Sequence, residues 1–116
     1  MRVKTVQVAI RDPTYADSIR NLLSEDSRRQ VHLVEKPDVN AEGVIIADSA
    51  QLNNFPPLAN EQTRLIVMVH KDRDDLSKLW DAGVRHVLYY GDPLQMVGMV
   101  VLGMELTLAA NGNSAN

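Results

Sequence analysis

The chain has 116 residues, a formal net charge of −3 and no cysteine. This length suits a single domain that can bury a hydrophobic core without a metal ion or a disulfide. The slightly acidic balance gives no electrostatic reason to expect nucleic acid or an anionic membrane as a partner. Disulfides and thiolate metal sites are excluded. Neither a signal peptide nor a membrane span is predicted, so we expect a soluble, cytoplasmic protein.

The first third of the chain predicts a strand, a helix and a second strand. Residues 5–10 form the first predicted strand, and Asp12 followed by Pro13 is a strong helix start. The aspartate side chain can cap the helix, and proline has no N–H to lose at the first helical position. We expect this helix to end near residue 26 and residues 30–35 to form the second strand.

The third predicted strand is the apolar run of residues 44–47, which ends at Asp48. An unbroken run of this length is typical of a strand that is buried on both faces of a parallel sheet. Only residues 36–42 separate it from the second strand, and this link is too short for a normal crossover helix. The segment 49–63 contains two adjacent prolines, so we expect one short helix there at most, followed by a loop.

The second half of the chain continues the alternation. Residues 64–70 predict a fourth buried strand, and the helix that follows can be capped by Asp72 or Asp74. Gly83 can close this helix in a left-handed conformation, before a fifth strand over residues 84–90.

A last helix is predicted from Asp92 and Pro93, which repeat the earlier start signal, to about Ala109. The remaining residues, 111–116, are small and polar, and we expect a flexible tail or the start of a linker. The predicted domain therefore covers residues 1–110.

Five strands that alternate with helical segments predict a doubly wound α/β fold. We expect a flavodoxin-like parallel sheet of strand order 2-1-3-4-5, with its second crossover helix missing and its third shortened. In such sheets the functional crevice lies at the carboxyl ends of the strands. Asp48 would stand at that edge.

With these elements, the chain resembles the receiver domain of bacterial response regulators over residues 5–106. The resemblance depends on the strand that ends in Asp48, and on the run of residues 82–88 followed by Asp92 and Pro93. It implies a phosphoryl-accepting aspartate at the end of the third strand. It also implies two Mg²⁺-binding acids after the first strand, a Thr or Ser after the fourth and a Lys after the fifth.

Asp48 keeps the acceptor position, but the acidic pair is incomplete. The pair falls on Ile10 and Arg11 or on Arg11 and Asp12, depending on a one-residue choice of register. Arg11 could bridge to Asp48 and supply the positive charge that Mg²⁺ brings in the family. It could equally face the solvent, because side-chain direction cannot be read from sequence, and both interpretations stay open.

The other positions of the pocket also depart from the family pattern. The hydroxyl position falls on Val69, with His70 after it, and the Lys position falls on Tyr90. His70 could titrate against the acceptor or be a rim residue, and the three histidines lack ligand spacing, so we expect no metal. The resemblance implies a degenerate acceptor pocket, whose candidate residues are Arg11, Asp12, Asp48, Val69, His70 and Tyr90.

The last predicted helix is apolar on more faces than one sheet can cover. We expect it either to meet a partner or to be deeply buried in its own domain. Aromatic residues on the preceding helix and the fifth strand extend the candidate contact surface. A two-fold homodimer is the expected assembly. The candidate interface residues are Trp80, Tyr89, Tyr90, Met96, Met99, Val100 and Met104.

The leading functional hypothesis is a non-catalytic pseudo-receiver, without a cofactor, that signals through protein–protein contact. The alternative is a residual phosphoryl acceptor of a two-component phosphorelay that uses Asp48 and Mg²⁺. A third is a module that binds a small molecule in the vacated pocket, although no glycine-rich phosphate loop supports it. Whether the chain is free-standing or the first module of a longer signalling protein stays open.

Overall fold

The computed structural model describes residues 4–54, 64–72 and 76–114. The predicted loop in residues 55–63 and the alternative helix cap Asp74 lie outside these residues. Within them the chain forms five strands, three α-helices and one 3₁₀ helix. Their bounds are β1 Lys4–Ala9, α1 Pro13–Leu23, β2 Arg29–Leu33, β3 Val44–Asp48, the 3₁₀ helix Ser49–Asn54, β4 Leu65–Val69, α2 Leu76–Asp81, β5 His86–Tyr89 and α3 Leu94–Ser114.

The five strands form one parallel sheet in the order β2-β1-β3-β4-β5, which confirms the predicted flavodoxin-like fold. Every residue of β3 and β4 is buried, as their unbroken apolar runs predicted. The register pairs Ala9 of β1 with Ala47 of β3, and Asp48 with Met68 of β4. Because all strands run in the same direction, their carboxyl ends meet at one edge of the sheet, and Asp48 lies there.

Helices α1 and α3 cover one face of the sheet. Their buried side chains include Ile19 and Leu23 of α1 and Val97 and Val101 of α3. The opposite face has a second apolar cluster, to which α2 contributes the buried Leu79. Each face of the sheet therefore has its own core, which is the arrangement of a doubly wound fold.

The connection between β2 and β3 contains no helix, as its length predicted. The buried side chain of Gln7 exchanges two hydrogen bonds with the backbone of Asp38, at 2.7 and 2.9 Å. The Arg64 guanidinium donates to the carbonyls of Ala41 and Gly43, at 2.7 and 3.0 Å. The side chains of Gln7 and Arg64 thus stabilise an irregular β2–β3 connection, where a doubly wound fold usually has a crossover helix. The next crossover begins with the 3₁₀ helix instead of an α-helix.

Two glycines have backbone conformations that other residues rarely adopt. Gly83, with φ of 95°, follows α2 as predicted, and the Val84 N–H bonds to the Leu79 carbonyl at 3.1 Å in a Schellman motif. Gly43, with φ of 104°, precedes β3, and a Cβ there would lie 2.1 Å from the carbonyl oxygen of Thr5. The close approach of this residue to β1 therefore requires glycine.

Helix α3 is longer than predicted. It continues past Ala109 to Ser114, so residues 111–114 are helical, whereas their composition predicted a flexible tail. Small polar residues have low helix propensity, but they do not by themselves end a helix that has already formed. The domain boundary at residue 110 stays a prediction. Among the described residues, no helix combines the length and the apolarity needed to cross a membrane.

Candidate functional site

A cavity of about 490 Å³ lies at the carboxyl edge of the sheet, next to the end of β3. The described residues that line it come from the β1–α1 junction, from the segment after β3 and from the chain just after β4 and β5. The structure brings together five of the six residues that the sequence pattern assigned to the acceptor pocket, all except Val69. The lining residues are Arg11, Asp12, Tyr15, Asp48, Ser49, Ala50, His70 and Tyr90.

Asp48 is the buried carboxylate of this cavity, with 8% of its surface exposed. Its Oδ2 accepts a hydrogen bond from the backbone N–H of Arg11 at 2.9 Å. Because Ala9 at the end of β1 pairs with Ala47, the chain that leaves β1 brings this N–H to the carboxylate. The other oxygen, Oδ1, is buried and has no hydrogen-bond partner within the described residues.

Arg11 contacts Asp48 through its backbone N–H, and not through a bridge from its guanidinium. The Arg11 side chain is exposed and makes no ion pair with Asp48 in the described part of the chain. Of the two interpretations left open, the structure favours a solvent-facing arginine. Asp12 is the N-cap of α1, as predicted, and its Oδ1 accepts from the N–H groups of Thr14 and Tyr15 at 2.9 and 3.3 Å.

Three aromatic rings form the wall of the cavity beside Asp48. Tyr90 stacks on His70, with ring centroids 4.4 Å apart and an interplanar angle of 24°. Tyr15 meets Tyr90 edge to face, at 4.9 Å and 71°. The Tyr15 hydroxyl is buried without a hydrogen-bond partner among the described residues. This burial raises the pKa of Tyr15, and the negative charge of Asp92 adds to the effect.

Val69 does not line the cavity. It is the last residue of β4, is fully buried and belongs to the apolar cluster on the α2 side of the sheet. Strand side chains alternate between the two faces, so this side chain is directed into the core. Tyr15 and Ser49 line the cavity although the sequence pattern did not assign them to it. The available signals were that Tyr15 follows the Asp12 cap by three residues and that Ser49 follows Asp48 directly.

The candidate interface residues divide into exposed and buried groups. Met99, Trp80 and Met96 are 72%, 49% and 40% exposed. Met104 is only 4% exposed, and Val100 is partly buried against the same core. Met104 is therefore a core residue instead of an interface candidate, because α3 presents it to the sheet.

Two further groups of residues change the predicted contact surface. Leu102 and Leu106 of α3 are 46% and 63% exposed, although the sequence pattern did not select them. Tyr90 packs within the cavity wall. Tyr89 is half-buried, and the Lys71 ammonium lies 4.9 Å from the centre of its ring. The exposed apolar surface is therefore concentrated on α3 and extends less onto β5 than predicted.

The Mg²⁺ ion that the receiver resemblance implies does not fit the residues at this edge. Asp12 and Asp48 are the carboxylates among the described lining residues, and one oxygen of each already accepts from backbone N–H groups. Arg11 lies beside them at a position where the receiver pattern has an acid, and its positive charge opposes a divalent cation. Within the described chain, no three His, Asp or Glu side chains cluster in a way that could hold a metal ion.

The sheet order, the flanking helices and the aspartate at the end of β3 define a receiver-like flavodoxin fold. No family model and no curated protein matches the chain. Among solved structures, the chain is similar to full-length FixJ from B. japonicum, with a TM-score of 0.66 and 13% identity over 98% of this chain and 63% of that one.

A second solved structure has the same fold. It is ChrA, a response regulator in a heme-sensing two-component system, with a TM-score of 0.60 and 15% identity over 90% of this chain and 57% of that one. The chain therefore spans less than two thirds of the length of either structure. At these identities the similarity shows the fold.

Proposed function

We propose that this chain is a non-catalytic, receiver-like signalling module that acts by protein–protein contact and is not phosphorylated at Asp48. The observation that carries the proposal is the composition of the cavity around this carboxylate. Tyr90 takes the Lys position of the receiver pattern, and its ring packs on His70. Val69 takes the hydroxyl position and is buried in the core, while Arg11 takes one of the acid positions.

The chemistry of phosphoryl transfer supports this proposal. Negative charge develops on the transferring phosphoryl group, and catalysis depends on fixed cations and hydrogen-bond donors aimed at it. Among the described groups, Asp48 itself receives one backbone N–H, from Arg11. Removing a single such donor from a preorganised site costs about 10²–10³ in rate. A site that departs from the pattern at the Lys, the hydroxyl and one acid is therefore expected to be inactive.

The partners of such a module would be proteins of a signalling pathway. ChrA, one of the structures with the same fold, is a response regulator of a two-component system. Protein–protein contact is also supported by the large apolar side chains that α3 exposes. Met99 is the most exposed of them, at 72%.

A residual phosphoryl acceptor is the second candidate function. One observation favours it: Asp48 lines the cavity at the carboxyl end of β3, and its Oδ1 has no hydrogen-bond partner within the described residues. The receiver pattern has its phosphoryl-accepting aspartate at this same position.

Incubation with Mg²⁺ and acetyl phosphate, followed by intact-mass measurement, separates the two candidates. We expect no phosphoryl adduct on the wild-type chain, because the developing charge lacks its stabilising groups. Asp48→Asn is the matched control, since it keeps the shape of the side chain and removes the nucleophilic oxygen. An adduct that forms on the wild type and not on Asp48→Asn would overturn the proposal and establish the phosphoryl acceptor.

A further inference from the structure

The exposed side of α3 carries a regular apolar stripe. Its large side chains are those of Met96, Met99, Leu102 and Leu106, which are 40%, 72%, 46% and 63% exposed. The opposite side of the same helix packs into the core with α1 and the sheet. Helix α3 is therefore apolar on two sides, and the described part of the chain covers one of them.

The spacing of the stripe is that of a helix-packing seam. Met99, Leu102 and Leu106 are separated by three and four residues, as are the seam positions of a heptad repeat. Such residues form one line along a helix, and each can insert into a hole between residues of a facing helix. Gly103 lies within this line, and among the described residues nothing outside its own stretch of the helix lies within 4 Å of the place where its Cβ would be. A second helix can therefore approach the backbone of α3 closely.

The electrostatics of the stripe favour a partner without charge. Residues 96–109 contain one ionisable side chain, that of Glu105. It is 7% exposed and forms an ion pair with Arg29 at 2.6 Å. A charged partner would have to bury its charge against this surface without compensation, which is costly. An identical stripe is apolar, uncharged and equally spaced, and it is self-complementary about a two-fold axis.

Resting on the proposed function of protein–protein contact, we propose that the partner of α3 is a second copy of this chain. Met99, Leu102 and Leu106 of one copy pack against the same stripe of the other, with Gly103 at the closest approach of the two helices. The most exposed residues of the stripe lie at the centre of this contact, where residues that dominate binding energy are found. Trp80 and β5 lie outside the seam.

Single cysteines locate the contact, because the chain has no cysteine of its own. Met99→Cys, Leu102→Cys and Leu106→Cys each place one thiol in the seam, and Asn40→Cys is an exposed control in the β2–β3 connection. On mild oxidation we expect at least one seam variant to form a disulfide-linked dimer and the control to stay monomeric. Equal crosslinking at Asn40 and in the seam, or none in the seam, would contradict the α3 contact.

Sedimentation with charge variants tests whether the contact holds the dimer together. We expect the wild type to sediment as a dimer, and Met99→Glu to weaken association by about 30-fold or more while its far-UV circular dichroism is unchanged. Asn40→Glu adds the same charge at an exposed site and should remain a dimer. Met104→Glu, on the same helix but 4% exposed, should unfold the chain.

The results also distinguish failure of this inference from failure of the proposed function. A monomeric wild type at about 100 µM would overturn the homodimer, because a stable two-fold interface is populated at this concentration. The mass measurement with acetyl phosphate is independent of association. A monomer without a phosphoryl adduct would therefore remove the second copy as the partner and leave the non-catalytic module in place.

Discussion

At the scale of single residues, the hydrogen bond between the Arg11 backbone and Asp48 determines how the carboxylate is oriented in the pocket. Sequence left two roles for Arg11, and the structure gives its backbone N–H to Asp48 while the side chain is exposed. A backbone donor is present whatever the side chain is. The carboxylate is therefore oriented by the path of the chain between β1 and α1. The arginine side chain can be replaced without loss of this hydrogen bond.

Arg11→Ala should consequently change the free energy of unfolding by no more than about 0.5 kcal/mol, the usual range for an exposed side chain. Asp48→Ala should cost about 1–3 kcal/mol, because it removes the acceptor of the Arg11 N–H. Urea denaturation of both variants provides the measurement. A loss above 1 kcal/mol in Arg11→Ala would mean that the guanidinium compensates the buried charge.

Tyr15 is a second residue whose surroundings have a measurable consequence. Burial raises its pKa above the ordinary value of 10.0, and Asp92 contributes in the same direction. The folded state therefore favours the neutral phenol over the phenolate. Its contribution to stability is complete below the unfolded pKa and is lost as the pH rises through and beyond 10.

Replacing this phenol should flatten the alkaline limb of the stability profile. We expect the unfolding free energy of Tyr15→Phe to fall less than that of the wild type between neutral pH and pH values above 10. Urea titrations at several pH values give the comparison, with neutral pH as the reference for each protein. Parallel curves for the two proteins would show that Tyr15 does not titrate differently in the folded state.

At the scale of elements, a buried ion pair attaches α3 to β2. The Arg29 guanidinium donates to both carboxylate oxygens of Glu105, at 2.6 and 3.0 Å, and a third N–H bonds to the Leu23 carbonyl at 2.9 Å. The two side chains are 9% and 7% exposed. Lys4 lies 4.0 Å from the same carboxylate. The helix is thereby fixed against β2, and its apolar stripe is directed outward.

Breaking one side of this pair should be much more damaging than replacing both. Glu105→Leu leaves a buried guanidinium without its partner, and we expect it to lower the unfolding free energy by about 3–5 kcal/mol. The double variant Arg29→Leu with Glu105→Leu should recover most of that loss, because no buried charge remains. A double-mutant cycle by chemical denaturation measures the coupling. Additive effects of the two changes would contradict a buried, coupled pair.

At the scale of the whole molecule, self-association links stability to concentration. If two copies pack through α3, unfolding requires dissociation, so the midpoint of thermal unfolding should rise with protein concentration. We expect this rise for the wild type between about 5 and 500 µM and a much smaller one for Met99→Glu. Circular dichroism in cells of different path length is sufficient. Identical midpoints across this range would contradict a dimer that unfolds by dissociation.

The fold of this protein was readable from local signals in the sequence. The apolar runs of β3 and β4, the Asp12 cap and the short β2–β3 link each have one physical consequence in a parallel sheet, and the structure confirms each of them. The same reasoning placed Asp48 at the carboxyl edge, because it is the last residue of a strand that is buried on both faces, and the functional crevice of such sheets lies at the carboxyl ends of the strands.

Only the tertiary structure decided which side chains meet at the site and which face outward. Met99 and Met104 are the same residue type on one apolar helix, yet the first is 72% exposed and the second 4%. Periodicity shows which residues share a face, but the packing of α3 against α1 and the sheet determines which face is covered. Val69 differs from expectation for the same reason, and the same reason decides between the two interpretations of Arg11. The direction of a side chain depends on the path of the neighbouring strands, and strand pairing is a long-range property of the folded chain.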